Sequence, residues 1–203
     1  MMVVRVLAPL AIAATLSLAV SGCSISSMLG GGKAPAVLMD LTPEAPDPGE
    51  MTRSASAGQA VTIAVPVIAK ELRTTRVPAQ VDAYQVQYLK NLQWVDTPDR
   101  LFQALVSETV RRTTNRVVLD GRQSSLDPGL LVNGQLQHFG YDAQSGQVKV
   151  QFDGALSTQG GAHVETRRFT ATVPADGTAA TVGPALNRAA NQVALDIAKW
   201  VAG

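Results

Sequence analysis

Between Gln147 and Leu156 the chain alternates without a break. Val148, Val150 and Phe152 fall on one side, and Lys149, Gln151 and Asp153 on the other. A side-chain period of two marks a strand with one buried and one wet face, and a helix of period 3.6 cannot satisfy it. Turn signals bracket the stretch, Ser145-Gly146 before it and Gly160-Gly161 after it. Leu130–Tyr141, Gln147–Leu156 and His163–Val173 therefore read as an antiparallel meander whose apolar face must be covered from elsewhere. Two amphipathic stretches can cover it. In the first, Thr97 is placed as N-cap and Pro98 as first helical residue. Leu101, Phe102, Leu105, Val106 and Val110 then recur at helical spacing to about Thr114. The second runs from about Val182 to Ala202. Its stripe of Leu186, Ala190, Val193, Ile197 and Val201 faces inward, and Asn187, Arg188, Asn191 and Lys199 are expected outside.

The first half adds shorter strands. Val37 to Leu41 reads as one, followed by a loop, because TPEAPDPGE (Thr42 to Glu50) is too rich in proline for a ladder or a helix. Val61 to Val67 (VTIAVPV) reads as a buried strand, and Val77–Val81 follows the polar break LRTTR. Ala83 to Leu89 is expected as a half-exposed strand with Tyr84, Val86 and Tyr88 on one face, and Asn91 to Pro98 as a turn into the first helix. Val117–Leu119 completes the set. No repeat or internal break divides these elements. They predict a single α/β domain: a mixed, largely antiparallel sheet with two main helices packed on it. Only 4% of the residues are aromatic, so the interior is expected to be aliphatic, built from Val, Leu and Ala.

Ahead of this domain stands a different kind of sequence. Arg5 precedes an apolar run from Val6 to about Val20, and Ser21 and Gly22 are small residues directly before Cys23. That is a secretory leader, shorter than the roughly 20 apolar residues of a membrane span. Val20-Ser21-Gly22-Cys23 reads as a lipoprotein box, so residues 1–22 are expected to be removed. Cys23 is the sole cysteine. No internal disulfide is open to it, and acylation explains an otherwise unpaired thiol in an exported chain. Bacterial lipoproteins that this leader resembles carry an N-acyl, S-diacylglycerol cysteine, palmitate among the chains, and several chains together hold a protein on a membrane durably. Ser24 in the next position, rather than aspartate, follows their sorting pattern for the periplasmic face of the outer membrane. The Ser/Gly-rich stretch to Pro35 is a flexible spacer with a reach of roughly 20 Å. Residues 23–36 thus form a lipidated N-terminus and linker, and 37–203 the folded domain.

Chemistry is harder to find. Removing the leader subtracts Arg5 alone from 17 Lys+Arg, which leaves 16 against 16 Asp+Glu. No basic run points to nucleic acid. His138 and His163 lack further ligands at metal spacing, GxSxG is absent, and Gly30-Gly31-Gly32 lacks the Lys-Ser/Thr of a phosphate loop. Asp96 and Asp99 flank a helix start, where carboxylates complement the dipole. Arg167 and Arg168, adjacent on an alternating strand, must point to opposite faces. No catalytic residue, metal or cofactor is assigned. Trp94 reads either as a core residue at the helix–sheet junction or as an interface anchor, and Tyr84 and Tyr88 admit the same two readings.

The order of these features resembles the ABC-type transport auxiliary lipoprotein family. The resemblance is carried by the box ending at Cys23, by VTIAVPV, and by LRTTRVPAQVDAYQVQYLKNLQWVDTPDRLFQAL with Leu72, Arg76, Tyr88, Trp94, Asp96 and Leu101. The RRF of Arg167–Phe169 and the terminal Ala198-Lys199-Trp200-Val201 extend it over nearly all of the mature chain. The chain departs at Met39-Asp40-Leu41, where that family's first strand has a Tyr-x-Leu pattern. The resemblance implies a non-enzymatic, membrane-anchored docking component in lipid transport between inner and outer membranes. Its implied partners are an MCE-domain periplasmic protein and the ABC permease and ATPase of the same system; homo-oligomerisation is left open. A different class stays open too, a regulatory or envelope-assembly lipoprotein that scaffolds a periplasmic complex. The domain is not expected to hold lipid itself, since its aliphatic residues are needed for its own core.

Overall fold

A computed structural model describes residues 37–203 apart from 126, 128, 159 and 160. Leader, Cys23 and the Ser/Gly linker lie outside the described residues, as does Gly160. The elements run β1 (Leu38–Met39), β2 (Val61–Ile63), β3 (Val67–Ile68), β4 (Arg76–Gln80), β5 (Val86–Trp94), α1 (Pro98–Thr113), β6 (Val118–Leu119), β7 (Leu130–Asp142), β8 (Gln147–Thr158), β9 (His163–Pro174) and α2 (Ala179–Ala202). The mixed α/β sheet with two helices agrees with the reading from sequence.

β7 is the spine. One of its edges pairs along nearly its whole length with β8, antiparallel, and β8 pairs in turn with β9. The other edge takes β2, β3 and β4 in succession, each parallel and only two or three residues deep. β5 and then β1 extend the sheet beyond β4, and β6 extends it beyond β2. The sheet is mixed by count of pairings but largely antiparallel by length of ladder.

Both helices cover one face of the meander. Val148, Val150 and Phe152 are buried beneath them, and Lys149 and Asp153 on the opposite face stay partly open, but Gln151, expected on the wet side with them, is buried as well. The interior is not purely aliphatic, however. All four phenylalanines and both tryptophans lie in the core, and four of the six form a chain. Phe102 of α1 packs 5.4 Å from Phe152, Phe152 stacks 6.5 Å from Phe169 of β9, and Phe169 lies 5.3 Å from Trp200 of α2. Scarcity of aromatics in the sequence thus means that few are left for the surface. Gly154 makes room for this chain: a Cβ there would lie 2.7 Å from the Phe152 ring and 3.3 Å from that of Trp200.

Three expectations need correction. VTIAVPV is not one buried strand. Pro66 has no N–H for the ladder, so the segment splits into β2 and β3, and Val65 and Val67 stand exposed. The strand placed at Ala83–Leu89 begins later, at Val86, and continues to Trp94 through residues expected to form a turn. Asn91, where the turn was expected to begin, does break the regular strand, with φ of 58°. The β4–β5 register shifts there, between Arg76–Gln93 and Pro78–Tyr88, and the ladder then resumes. Finally, α2 starts a turn early, at Ala179, and Asn191 is buried rather than outward.

The start of α2 depends on Asp176. Its carboxylate accepts hydrogen bonds from the Thr178 N–H (2.9 Å), the Thr178 hydroxyl (2.7 Å) and the Thr181 hydroxyl. These donors hold its pKa down to about 2, the Thr181 hydroxyl contributing most. A carboxyl depressed in the folded state stabilises the fold above its unfolded pKa, about 3.9, and loses that contribution as pH falls through the folded value. Asp176→Asn is expected to lower the melting temperature at pH 7. The gap to the unsubstituted protein should close between about pH 4 and pH 2 in thermal melts followed by circular dichroism.

Candidate functional site

The folded domain begins with a strap. β1 lies parallel to β5, with Leu38 opposite Gln93 and Met39 opposite Trp94, and the Val95 N–H donates to the Met39 carbonyl at 2.9 Å. The proline-rich loop that follows is fastened by two asparagines one turn apart on α2. Asn191 Oδ1 accepts from the Glu44 N–H (2.7 Å), while Asn191 Nδ2 donates to the carbonyls of Thr42 and Asn187, each at 2.9 Å. Asn187 Oδ1 accepts from the Thr42 N–H at 2.8 Å, and Asn187 Nδ2 donates to Glu44 Oε1 at 3.2 Å. From α1, Arg112 donates to the Ala45 carbonyl at 2.9 Å and is itself held by Glu108 at 2.7 Å. A side-chain amide can replace a strand partner because it offers a donor and an acceptor together. The sequence reading missed this clamp. Its signal was the i, i+4 spacing of two asparagines beside the apolar stripe of the helix.

The three interface candidates go to three different places. Trp94 is 1% exposed and meets Phe139 edge-on at 5.6 Å. A side chain with no surface offers nothing to a partner, so the core reading replaces the anchor reading. Tyr88 is half-buried. Its hydroxyl donates to the Glu71 carbonyl at 3.1 Å, and the Arg76 guanidinium sits 4.2 Å over its ring. Tyr84 is 95% exposed, and it lies not on a strand face beside Tyr88 but in the tip between β4 and β5. That tip is built firmly: Asp82 Oδ1 accepts from the N–H groups of Tyr84 (2.8 Å) and Gln85 (2.9 Å), and the Val81 N–H donates to the Gln85 carbonyl. Val81 and Val86 flank it, also exposed. Of the three, Tyr84 alone is presented to a partner.

The titratable candidates do not converge. His138 lies on β7 opposite Gln151, on the face away from the helices, and His163 opens β9 opposite Thr158. Burial, with the charge of Lys149 beside it, holds the His138 imidazole below its ordinary pKa. Among the described residues no three His, Cys, Asp or Glu side chains gather to hold a metal, and neither histidine hydrogen-bonds a hydroxyl or a carboxylate. Asp96 Oδ1 accepts from the Thr97 N–H at 2.7 Å, and Asp99 sits in the first turn of α1. Thr97 is the N-cap, though its hydroxyl makes no capping bond. Arg168 grips Asp153 with two bonds of 2.6 and 2.7 Å, whereas Arg167 leans over Phe169 at 5.4 Å, so the pair does point to opposite faces.

A cleft of about 580 Å³ opens between the β2 end of the sheet and the loop before β7, lined by Thr62, Ala64, Val65, Leu130, Leu131 and Ser157. Asp127 at its rim is committed to the backbone. It accepts from Gly58 (2.7 Å), Ala60 (3.0 Å) and Gly129 (3.2 Å), and these N–H groups lower its pKa. The arrangement can hold segments in place and present surfaces; among the described residues it sets up no nucleophile–base pair. Among the described residues no helix is long and apolar enough to cross a membrane. Asn191→Ala strips partners from the Glu44 N–H and the Thr42 carbonyl and is expected to cost about 1–3 kcal/mol. Chemical denaturation will measure it, with faster proteolytic cleavage in residues 42–50.

A family model described as "ABC-type transport auxiliary lipoprotein component" matches residues 40–198. Among solved structures, a Xanthomonas campestris protein of the DUF330 family is similar at a TM-score of 0.63 and 16% identity, with 74% of this chain and 90% of that one covered. An uncharacterised protein is similar at a TM-score of 0.62 and 15% identity, covering 74% and 96% respectively. At such identities the likeness is one of fold. No curated protein matches the chain.

Proposed function

The chain belongs to the family of ABC-type transport auxiliary lipoprotein components, and we propose that it is the lipid-anchored docking component of an MCE-type ABC system that moves lipid between the inner and outer membranes. The observation that carries this reading is the order of parts. A lipoprotein box with the sole cysteine of the chain, Cys23, stands ahead of the family domain, separated from it by a short Ser/Gly linker. In this reading Cys23 bears the acyl chains, Ser24 directs the protein to the periplasmic face of the outer membrane, and the linker lets the domain clear the headgroups.

A lipid crossing an aqueous space needs continuous apolar shielding. An anchored domain can bring a periplasmic conduit to its destination without enclosing the cargo. Its contribution is binding and geometry rather than turnover, in keeping with charged groups that are engaged in structure. Tyr84, exposed on a turn whose backbone Asp82 holds, is the side chain best placed to meet the MCE-domain partner. The strap fits a tethered protein as well, because a pull on residue 37 reaches the core through β1 and the asparagine clamp.

Cys23→Ser is expected to move the protein from the membrane to the soluble periplasmic fraction on cell fractionation; continued membrane association refutes the anchor. Affinity capture of the MCE-domain protein is expected to retrieve the intact chain, and Tyr84→Ala to weaken that retrieval with an unchanged melting temperature. Deletion that leaves both envelope permeability and assembly of the MCE component unaltered refutes the docking role.

A further inference from the structure

The ends of this sheet differ sharply. β1 and β6, which close it on one side, have two residues each. β9 closes it on the other with 12 residues, paired to β8 from end to end without a register shift. Among the described residues no strand meets its outer edge. Such an edge presents a row of unpaired N–H and C=O groups, which proteins normally blunt with short strands, charged side chains, proline or bulges. β9 is long and has no bulge, and its one proline is its last residue; its charges, Glu165, Arg167 and Arg168, are of both signs, so they repel a foreign strand less than they complement a reversed copy of themselves. All of its first six residues, His163 to Arg168, are exposed.

We propose that a second copy of this chain adds its own β9 to this edge, antiparallel, across a two-fold axis perpendicular to the sheet. Charge favours a copy as occupant, and among the registers centred on the charged stretch Glu165–Arg168 it selects one. That axis keeps both helix layers on the same side, so each residue must face a partner residue of the same face. A pair centred on Thr166 sets Glu165 against the partner's Arg167 and Arg167 against the partner's Glu165. Centring on Glu165, Arg167 or Arg168 instead puts like charges directly opposite, which destabilises. In the Thr166 register Arg168, already aligned by Asp153, falls opposite the partner's Val164. The aliphatic stem of the arginine can then cover a valine that is 56% exposed in the single chain. The β7–β8–β9 meander continues across the axis as one sheet.

The test uses the full chain carrying Cys23→Ser, so that an introduced thiol is the only one and the outcome does not depend on lipidation. Opposed residues in an antiparallel pair have Cβ atoms about 4.5–5.5 Å apart, close to disulfide reach. Thr166→Cys, sitting on the axis, is expected to give a reducible dimer under mild oxidation. Thr172→Cys lies on the same face, but its two copies are about 40 Å apart at about 3.3 Å per residue, and it should stay monomeric. Adding Arg167→Glu to Thr166→Cys is expected to cut the dimer several-fold, whereas Arg167→Lys, which keeps the charge and leaves Glu165 on the Trp200 indole, should preserve it. A folded Thr166→Cys chain, with the melting temperature of its parent, that remains monomeric overturns the proposal. So does equal cross-linking at position 172, or a dimer that Arg167→Glu leaves undiminished.

Discussion

The aromatic chain from Phe102 through Phe152 and Phe169 to Trp200 is what the rest of the domain depends on. It joins α1, β8, β9 and α2 in one line of ring contacts. Truncating a buried phenylalanine typically costs about 3–5 kcal/mol, and an aromatic pair adds about 0.5–1.5 kcal/mol beyond its buried area. The best-formed surface ion pair, Arg168–Asp153, is largely solvated on the arginine side, and exposed pairs contribute about 0–1 kcal/mol. Position of the helices on the meander is therefore set by ring packing, with the ion pair confined to orienting one side chain. Trp200 is fixed in direction as well as depth, since its indole N–H donates to Glu165 at 2.7 Å.

With one face of the meander sealed in this way, function is left to the margins of the domain. The strap and its asparagine clamp secure the end nearest the proposed anchor. The β4–β5 tip presents Tyr84, and the outer edge of β9 is unpaired among the described residues. The depressed carboxyls at Asp127 and Asp176 are explained by hydrogen bonds that close a loop and start a helix.

The candidate site was legible only in part. Alternation in β8 and helical spacing in α1 gave the core-facing residues correctly, because each depends on near neighbours in sequence, though Gln151 on the opposite face of β8 is buried too. Trp94 could be narrowed to two readings and no further: burial depends on Phe139, which reaches it from β7. Tyr84 and Tyr88 share the parity of one strand face, yet Asp82 folds the chain into a turn around Tyr84 and separates them. Asn191 looks like a solvent-facing helical residue until the loop at Thr42–Glu44, almost 150 positions earlier, is laid against it.

Local pattern by itself determined most strand and helix types, the single α/β domain and the likeness to the auxiliary lipoprotein family, because these follow from spacing and composition along the chain. Tertiary structure alone decided which short strands share the second edge of β7, where Pro66 divides a continuous apolar run, and that the scarce aromatics belong to the interior. It also decided that β9 ends the sheet uncovered. Those outcomes rest on contacts between residues far apart in sequence, whose identity no local period encodes.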